Sequence, residues 1–164
     1  MEIQARTYGF GTSGIANQIV VFILDAMRYG LRLSSVERIV RIVEISALPK
    51  APEIVMGIVN VHGEIIPVIN VRKRFRLAER DFDLSSHLLI ALTTHRRVAL
   101  AVDAVIGVIE CSSGNTTDGH KILPRLDFVQ GVMRLGDGLV LIHDLDTFLS
   151  LEEENSLELA MKAN

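Results

Sequence analysis

GIVNVHGEIIPVINVR, from Gly57 to Arg72, sets two alternating apolar runs, Ile58–Val61 and Ile65–Val71, on either side of His62-Gly63-Glu64. Alternation at period two on both sides of a short polar break is the pattern of a β-hairpin. Gly63 can take the positive φ that such a turn needs. Pro67 donates no backbone N–H, so its strand is expected to be an edge strand or to be unpaired at that point. Asn60 and Asn70 interrupt the apolar runs and must face water or find a buried partner.

Upstream, Leu48-Pro49-Lys50-Ala51-Pro52 can continue neither helix nor strand and reads as a surface connection into the hairpin. Before it, Ile19–Leu24 is a short β run, Asp25–Arg28 a polar turn and Tyr29–Leu33 the return strand. Ser34–Val43 fits either a serine-capped helical turn or a strand, and its later alternation of Ile and Val with charge favours the strand. Residues 1–17, with Gly9, Gly11 and Gly14 and no sustained period, read as a flexible N-terminal arm. Downstream, Arg72–Asp83 is highly charged and reads as a solvated loop or short helix.

The second half repeats this layout. Leu88–Leu92, a polar turn at Thr93–Arg97, and Val98–Val105 follow the first hairpin at an offset of 88 − 20 = 68, and Gly131–Ile142 follows the central hairpin at 131 − 57 = 74. The six additional residues fall in the loop Ser112–Pro124. Two copies of strand-turn-strand, connector, strand-turn-strand predict an all-β chain of two small antiparallel barrels or sandwiches with a pseudo-two-fold repeat and a shared core. Strands apolar on both faces, such as 65–71 and 139–142, need a second cover, expected to come from the other subdomain and from a partner protein docked in an apolar groove between them. The segment from Asp144 ends the fold in a short C-terminal helix, and 152–164, with Glu152-Glu153-Glu154, is expected to be an acidic helical or frayed tail.

Composition narrows the function. The chain has 164 residues, 49% of them hydrophobic, only 5% aromatic and none Trp, so its core is built from Ile, Val and Leu. A net charge of −3 from 17 basic and 20 acidic residues gives no general attraction to nucleic acid, and Arg72-Lys73-Arg74-Phe75-Arg76, the one basic cluster, reads as a solvated loop. The single Cys111 excludes an intrachain disulfide and reads as an inert thiol, which suits a reducing compartment. The longest apolar run, Ile19–Leu24, is far shorter than a membrane helix, and the N-terminus lacks the apolar segment of a signal peptide, so the chain is expected to be soluble and not exported. His62, His87, His95, His120 and His143 are scattered singly and suit surface or packing use, and Asp103 suits a turn or exposed strand. No catalytic, metal-binding or cofactor-binding constellation stands out.

Taken together, Tyr29-Gly30 with Val36 and Ile39, the hairpin Gly57–Arg72, Val102-Asp103-Ala104-Val105 and Gly131–Leu145 resemble the CheW family of chemotaxis coupling proteins, over residues 18–151. The resemblance implies two five-stranded, SH3-like β-barrel subdomains that are intertwined, and an adaptor that is not an enzyme and needs no cofactor. It implies two partners, the cytoplasmic tip of methyl-accepting chemoreceptors and the regulatory domain of a CheA-type histidine kinase. It also implies a cytoplasmic protein recruited to membrane-associated receptor arrays, without membrane insertion of its own. By position, Val36, Ile39, Gly57, Val59 and Gly63 match the side of the family pattern that receives the receptor helices in a groove between the barrels. Kinase-contact residues do not carry over, because Ser112–Pro124 does not align. Two departures fall on the same receptor side: His62 stands where the family usually has Arg, and Arg38 where it often has Glu. Arg is permanently charged and His is not, so the ion pair expected between those positions is absent, which fits equally family drift at a tolerant surface position and a different receptor or a chemosensory pathway with a non-motility output. Two other classes remain as alternatives: a small β-barrel nucleic-acid binder, for which aromatics are few, and a hydrolase or ligand-binding barrel, for which convergent polar groups are lacking.

Overall fold

The computed structural model describes residues 18–110, 116–118, 129–136 and 138–163. The proposed arm at 1–17, Cys111, His120 and most of the Ser112–Pro124 loop lie outside the described residues. The first half runs β1 (Gln18–Leu24), β2 (Met27–Arg32), β3 (Val36–Arg41), β4 (Val55–Val61), β5 (Glu64–Ile69) and the one-turn helix α1 (Val71–Arg74). The second runs β6 (His87–Leu92), β7 (Arg97–Val102), β8 (Ala104–Glu110), β9 (Thr116–Asp118), β10 (Val129–Leu135), β11 (Gly138–His143) and α2 (Leu151–Lys162).

The central hairpin forms as its pattern requires. β4 and β5 pair antiparallel from Val61↔Glu64 outward, leaving His62 and Gly63 as a two-residue turn with φ of 51° and 85°. Two left-handed residues give the turn the twist of the strands it joins. The Asn60 side chain accepts a hydrogen bond from the Gly63 amide at 2.9 Å, so this polar residue closes the turn. Pro67 does not lie on an edge strand, because β5 sits between β7 and β4. It is instead unpaired where it stands: Ile58 opposite it exchanges both its backbone hydrogen bonds with Ser46, at 2.7 and 2.9 Å, and β5 meets β7 only at Val68 and Ile69.

The two halves exchange strands. One sheet runs β8-β1-β2-β11-β10, with the short β9 added at its edge; the other runs β3-β6-β7-β5-β4. β3 leaves its own half to pair with β6, and β8 leaves its half to pair with β1. The symmetry holds in the parallel contacts, β5 with β7 and β11 with β2. It continues beyond the hairpins: Asn70 caps α1 by accepting from the Lys73 amide, and Asp144, at the offset of 144 − 70 = 74, caps a 3₁₀ turn at Leu145–Thr147 through the Asp146 amide. The Ser34–Val43 ambiguity resolves into both readings, a 3₁₀ turn at Leu33–Ser35 followed by β3.

Alternation along each strand separates three cores. Ile19 and Val21 of β1 pack with Met133, Val140 and Ile142 inside the first sheet. Leu88 and Ile90 of β6 pack with Val59, Ile66, Val68 and Ala99 inside the second. The opposite faces, among them Val20, Phe22, Leu31, Leu89, Leu100 and Val102, meet in the largest core, between the sheets. Each fully buried Leu, Ile or Phe there adds about 2–3 kcal/mol relative to exposure. This is the shared core that the repeat predicts, closed by the facing sheet and by α2 through Leu157 and Ala160.

Three local expectations change. Leu48 of the connector is buried in the shared core rather than lying on the surface. α2 is docked, not frayed: Ser150 and Glu153 form a reciprocal capping box, Glu153 pairs with Arg74 at 2.6 Å, and Glu154 is buried against Arg96. The basic cluster is no solvated loop. Arg72 is only 2% exposed, and its guanidinium donates to Asp25 at 2.7 Å, to both oxygens of Asp103 at 2.8 and 2.7 Å, and to the Ala78 carbonyl at 3.2 Å. Asp103, between β7 and β8, also accepts from the Asp25 amide and faces Arg80 at 3.0 Å. Arg72 therefore ties the β1–β2 turn, α1 and the crossing from the second sheet to the first.

Burial works to raise the Asp103 carboxyl, but the Arg72 hydrogen bond, the Asp25 amide and the charges of Arg72 and Arg80 outweigh it and hold the group below its usual range. A depressed carboxyl adds stability that is complete above its unfolded value, about pH 4, and that is lost as the pH falls through the folded value. Arg72→Met leaves two partly buried carboxylates without their partner, and we expect it to lower the unfolding free energy by about 3 kcal/mol in urea titration at pH 7. Between pH 5 and pH 2 (roughly the span over which such a carboxyl protonates) Asp103→Asn is expected to flatten the fall in the urea midpoint. An unchanged acid slope would rule out this role for Asp103.

Candidate docking surface

The seven residues singled out by the sequence separate into supports and surface. Ile39 is buried in the shared core and Val59 in the core of the second sheet. Gly57 is also buried, and a Cβ built there would lie 2.2 Å from the Ser46 carbonyl oxygen. Glycine at 57 lets the 42–48 segment lie against β4 through the paired Ser46–Ile58 hydrogen bonds. Val36 and Arg38 are half-buried on β3, and His62 and Gly63 are exposed at the turn.

These last four lie at one end of the second sheet. Val36 stands opposite Ala91 on β6, the next residue Leu92 stands opposite Arg97 on β7, and the β4–β5 turn projects at the same end. Arg97 binds this end together, because its Nε donates to Glu37 on β3 at 2.7 Å while its Nη1 donates to Glu64 on β5 at 2.9 Å. Its hydrogen bond to Glu37, then that to Glu64, raise the Arg97 guanidinium above its usual range, so it carries its charge throughout. Glu37 adjoins Arg38 in sequence and Glu64 follows His62 by two, so Arg38 and His62 flank one ion-paired cluster without touching each other. Neither has a hydrogen-bond or ion-pair partner among the described residues. Two large apolar side chains remain exposed beside the cluster, Ile65 at 46% and Leu92 at 48%.

Sequence reasoning found the turn and β3 but missed Arg97, Leu92 and Ile65. The signal for Arg97 was its place at the start of a strand whose next five residues are buried, which puts it at the sheet's end. Elsewhere, reactive side-chain types are used in packing. His143 is buried with its ring 4.2 Å from that of Phe75, beside Tyr29 and Phe148. Among the described residues no group of three or more His, Cys, Asp or Glu is placed to hold a metal ion.

Comparison with known proteins places this geometry. A family model described as a CheW-like domain matches residues 18–153. The chain is 28% identical over 146 residues to the chemotaxis protein CheW of Treponema pallidum, covering 85% of this chain and 86% of that one. It is 22% identical over 141 residues to the chemotaxis protein CheW of Klebsiella aerogenes, covering 85% of each. The crystal structure of the scaffolding protein TtCheW from Thermoanaerobacter tengcongensis matches with a TM-score of 0.74 at 31% identity, covering 84% of this chain and 95% of that one.

Gly57→Ala tests the support. The Cβ meets backbone rather than a flexible side chain, so the Ser46 segment must shift, and overpacking of this kind costs about 1–3 kcal/mol. Thermal unfolding is expected to show that loss, whereas Gly63→Ala, with nothing within 4 Å of its Cβ, meets only the strain of its φ of 85°. Equal stability of Gly57→Ala and the parent chain would contradict the close approach.

Proposed function

Since the chain belongs to the CheW-like domain family and so is a chemotaxis scaffold protein, we propose that it couples the cytoplasmic tips of chemoreceptors to the regulatory domain of a CheA-type histidine kinase, with no catalysis of its own. The observation that carries this reading is the family match across 18–153, which spans both sheets and the start of α2. Three physical features support it. The sheets share one core, so a load applied at one is transmitted to the other as a rigid body. Carboxylates that could serve as acids or bases are engaged in structural ion pairs, Asp25 and Asp103 with Arg72, Glu153 with Arg74 and Glu154 with Arg96. The exposed end of the second sheet combines apolar and charged side chains in the manner of a transient interface.

Among the described residues no helix is long and apolar enough to cross a membrane. We place the protein in the cytoplasm, brought to the membrane by its receptors, and we assign it no cofactor. In a reconstitution of receptor-containing vesicles with a CheA-type kinase, adding the chain is expected to raise receptor-dependent autophosphorylation of the kinase several-fold. The chain incubated with labelled ATP but without kinase is expected to gain no label. Kinase activity indifferent to the chain at saturating concentration would refute the coupling role.

A further inference from the structure

The repeat relates the two places where the chain passes from one sheet to the other, and the two are held differently. β7 crosses into β8 through the single residue Asp103, and β2 crosses into β3 through the 3₁₀ turn Leu33–Ser35. The strand pairs Phe22↔Val105 and Val36↔Ala91 are related by an offset of 105 − 36 = 69, which sets Asp103 against Ser34 and Asp25 against Thr94. The offset of 74 in the hairpins and their caps sets Arg72 against Asp146.

One link is present in both copies. Arg72 donates to the Asp25 carboxylate at 2.7 Å, and Asp146 accepts from the Thr94 amide at 2.8 Å, so each turn after a hairpin is tied to a turn of the opposite sheet. A second link exists only once. The other arm of the Arg72 guanidinium reaches Asp103 at 2.8 and 2.7 Å. Asp103 is held further by the Asp25 amide and by Arg80, each at 3.0 Å, and its own amide donates to the Ile23 carbonyl at 3.0 Å. In the other copy a short carboxylate stands for the forked cation and a neutral serine for the carboxylate, so neither the reach nor the charge of the second link remains. Ser34 is exposed, and among the described residues no hydrogen bond or ion pair joins Leu33–Ser35 to the Thr94 turn or to Leu145–Thr147.

We propose that Leu33–Ser35 is a hinge on which β3 opens from β6 as a unit while the rest of the fold stays closed, and that the clamp of Arg72 on Asp103 denies β8 the same movement. A hinge needs a few residues whose backbone can turn without breaking buried polar contacts. The Leu33–Ser35 turn buries no residue and has no such contact to break, whereas turning at Asp103 strips a guanidinium only 2% exposed of its carboxylate. Side-chain packing alone gives the opposite order, since β3 buries Ile39 and no residue of β8 is buried. The order in which the two strands open therefore separates control by the clamp from control by packing.

The test is native-state hydrogen exchange on the full chain, followed amide by amide by NMR in urea below the unfolding transition. The β3 amides that bond to β6 are expected to exchange at least about tenfold faster than the β8 amides that bond to β1, and with little dependence on urea. Exchange in β8 is expected to follow the urea slope of global unfolding. Asp103→Ser gives the clamped crossing the residue of the free one, and it is expected to speed exchange in β8 at least about tenfold more than in β6 and β7. Arg80→Gln removes one of the two cations on Asp103 and leaves Arg72 in place, so it is expected to shift β8 in the same direction by less, and it serves where Asp103→Ser does not fold. Exchange of β3 and β8 at one rate with the global urea slope in the parent chain overturns the proposal. So does an equal acceleration of every amide in the variants, which would make the clamp a contributor to overall stability and nothing more.

Discussion

A strand that is apolar on both faces has to be covered twice, and most of this architecture follows from that constraint. β1, β6 and β7 each send alternate side chains into two different cores, one inside their own sheet and one between the sheets. A single five-stranded sheet of this size could curl around one of those sets but would leave the other in water. Pairing two such sheets face to face buries both sets, and the exchange of β3 and β8 between the halves makes the pairing irreversible without breaking sheet hydrogen bonds. The low aromatic content suits this arrangement, since Val, Ile and Leu pack on pleated faces with little demand for volume.

The hairpin that begins at Gly57 was legible because every local signal in it agreed. Period-two alternation gave the strands, Gly63 gave the turn, and Asn60 and Asn70 proved to be the residues that close the turn and cap α1. The repeat was legible from spacing: the offset of 74 survives in β4–β5 and β10–β11. The first offset is 69 rather than 68, since Val20 answers to Leu89 in the shared core and the pairs Phe22↔Val105 and Val36↔Ala91 are related by it. Alternating apolar runs allow such a one-residue slip when read without their partners. The strand exchange was not legible, because alternation states which face a residue occupies and nothing about which strand lies beside it. Arg72 was hidden for a different reason. It opens a run of Arg and Lys, and such a run looks solvated, while its partners lie 47 and 31 residues away in sequence. The docking of α2 had a readable signal that went unused: Ser150 followed three residues later by Glu153 is a capping box, and the Glu run beyond it faces Arg74 and Arg96 rather than water.

Phe148, Leu157 and Ala160 join the shared core between the sheets. Large apolar side chains that stay exposed are spread over the surface: Leu92 and Ile65 near the central turn, Met27 and Leu139 on neighbouring strands of the first sheet, Ile106 on β8, Val43 and Leu84 in connections, and Leu151 and Leu159 on α2. Ile39, Gly57 and Val59, placed on the receptor side by their position in the family pattern, act from beneath. They fix β3 and β4, and β3 in turn carries Val36 and Arg38. Substitutions at such positions act on the surface through the strands they support, so position in a sequence pattern and exposure at the surface are separate matters.

The same motif occurs twice in this chain with opposite consequences, and the contrast shows what an interface can be made from. Arg72 lies between two carboxylates at 2% exposure, and Arg97 lies between two others with its side chain 44% exposed. The Arg72 guanidinium is withdrawn from solvent, so hydration does not make good a lost partner, and removing the cluster is felt by the whole fold. Around Arg97 water and salt screen each pair, so opening one contact costs little and the carboxylates can be shared with an incoming group. Charges of the second kind can exchange partners, and here they are seated on a frame held by charges of the first. In this chain the two are joined through β7, which begins at Arg97 on the docking end and runs through the fully buried Val98 and Leu100 to Asp103 at the other.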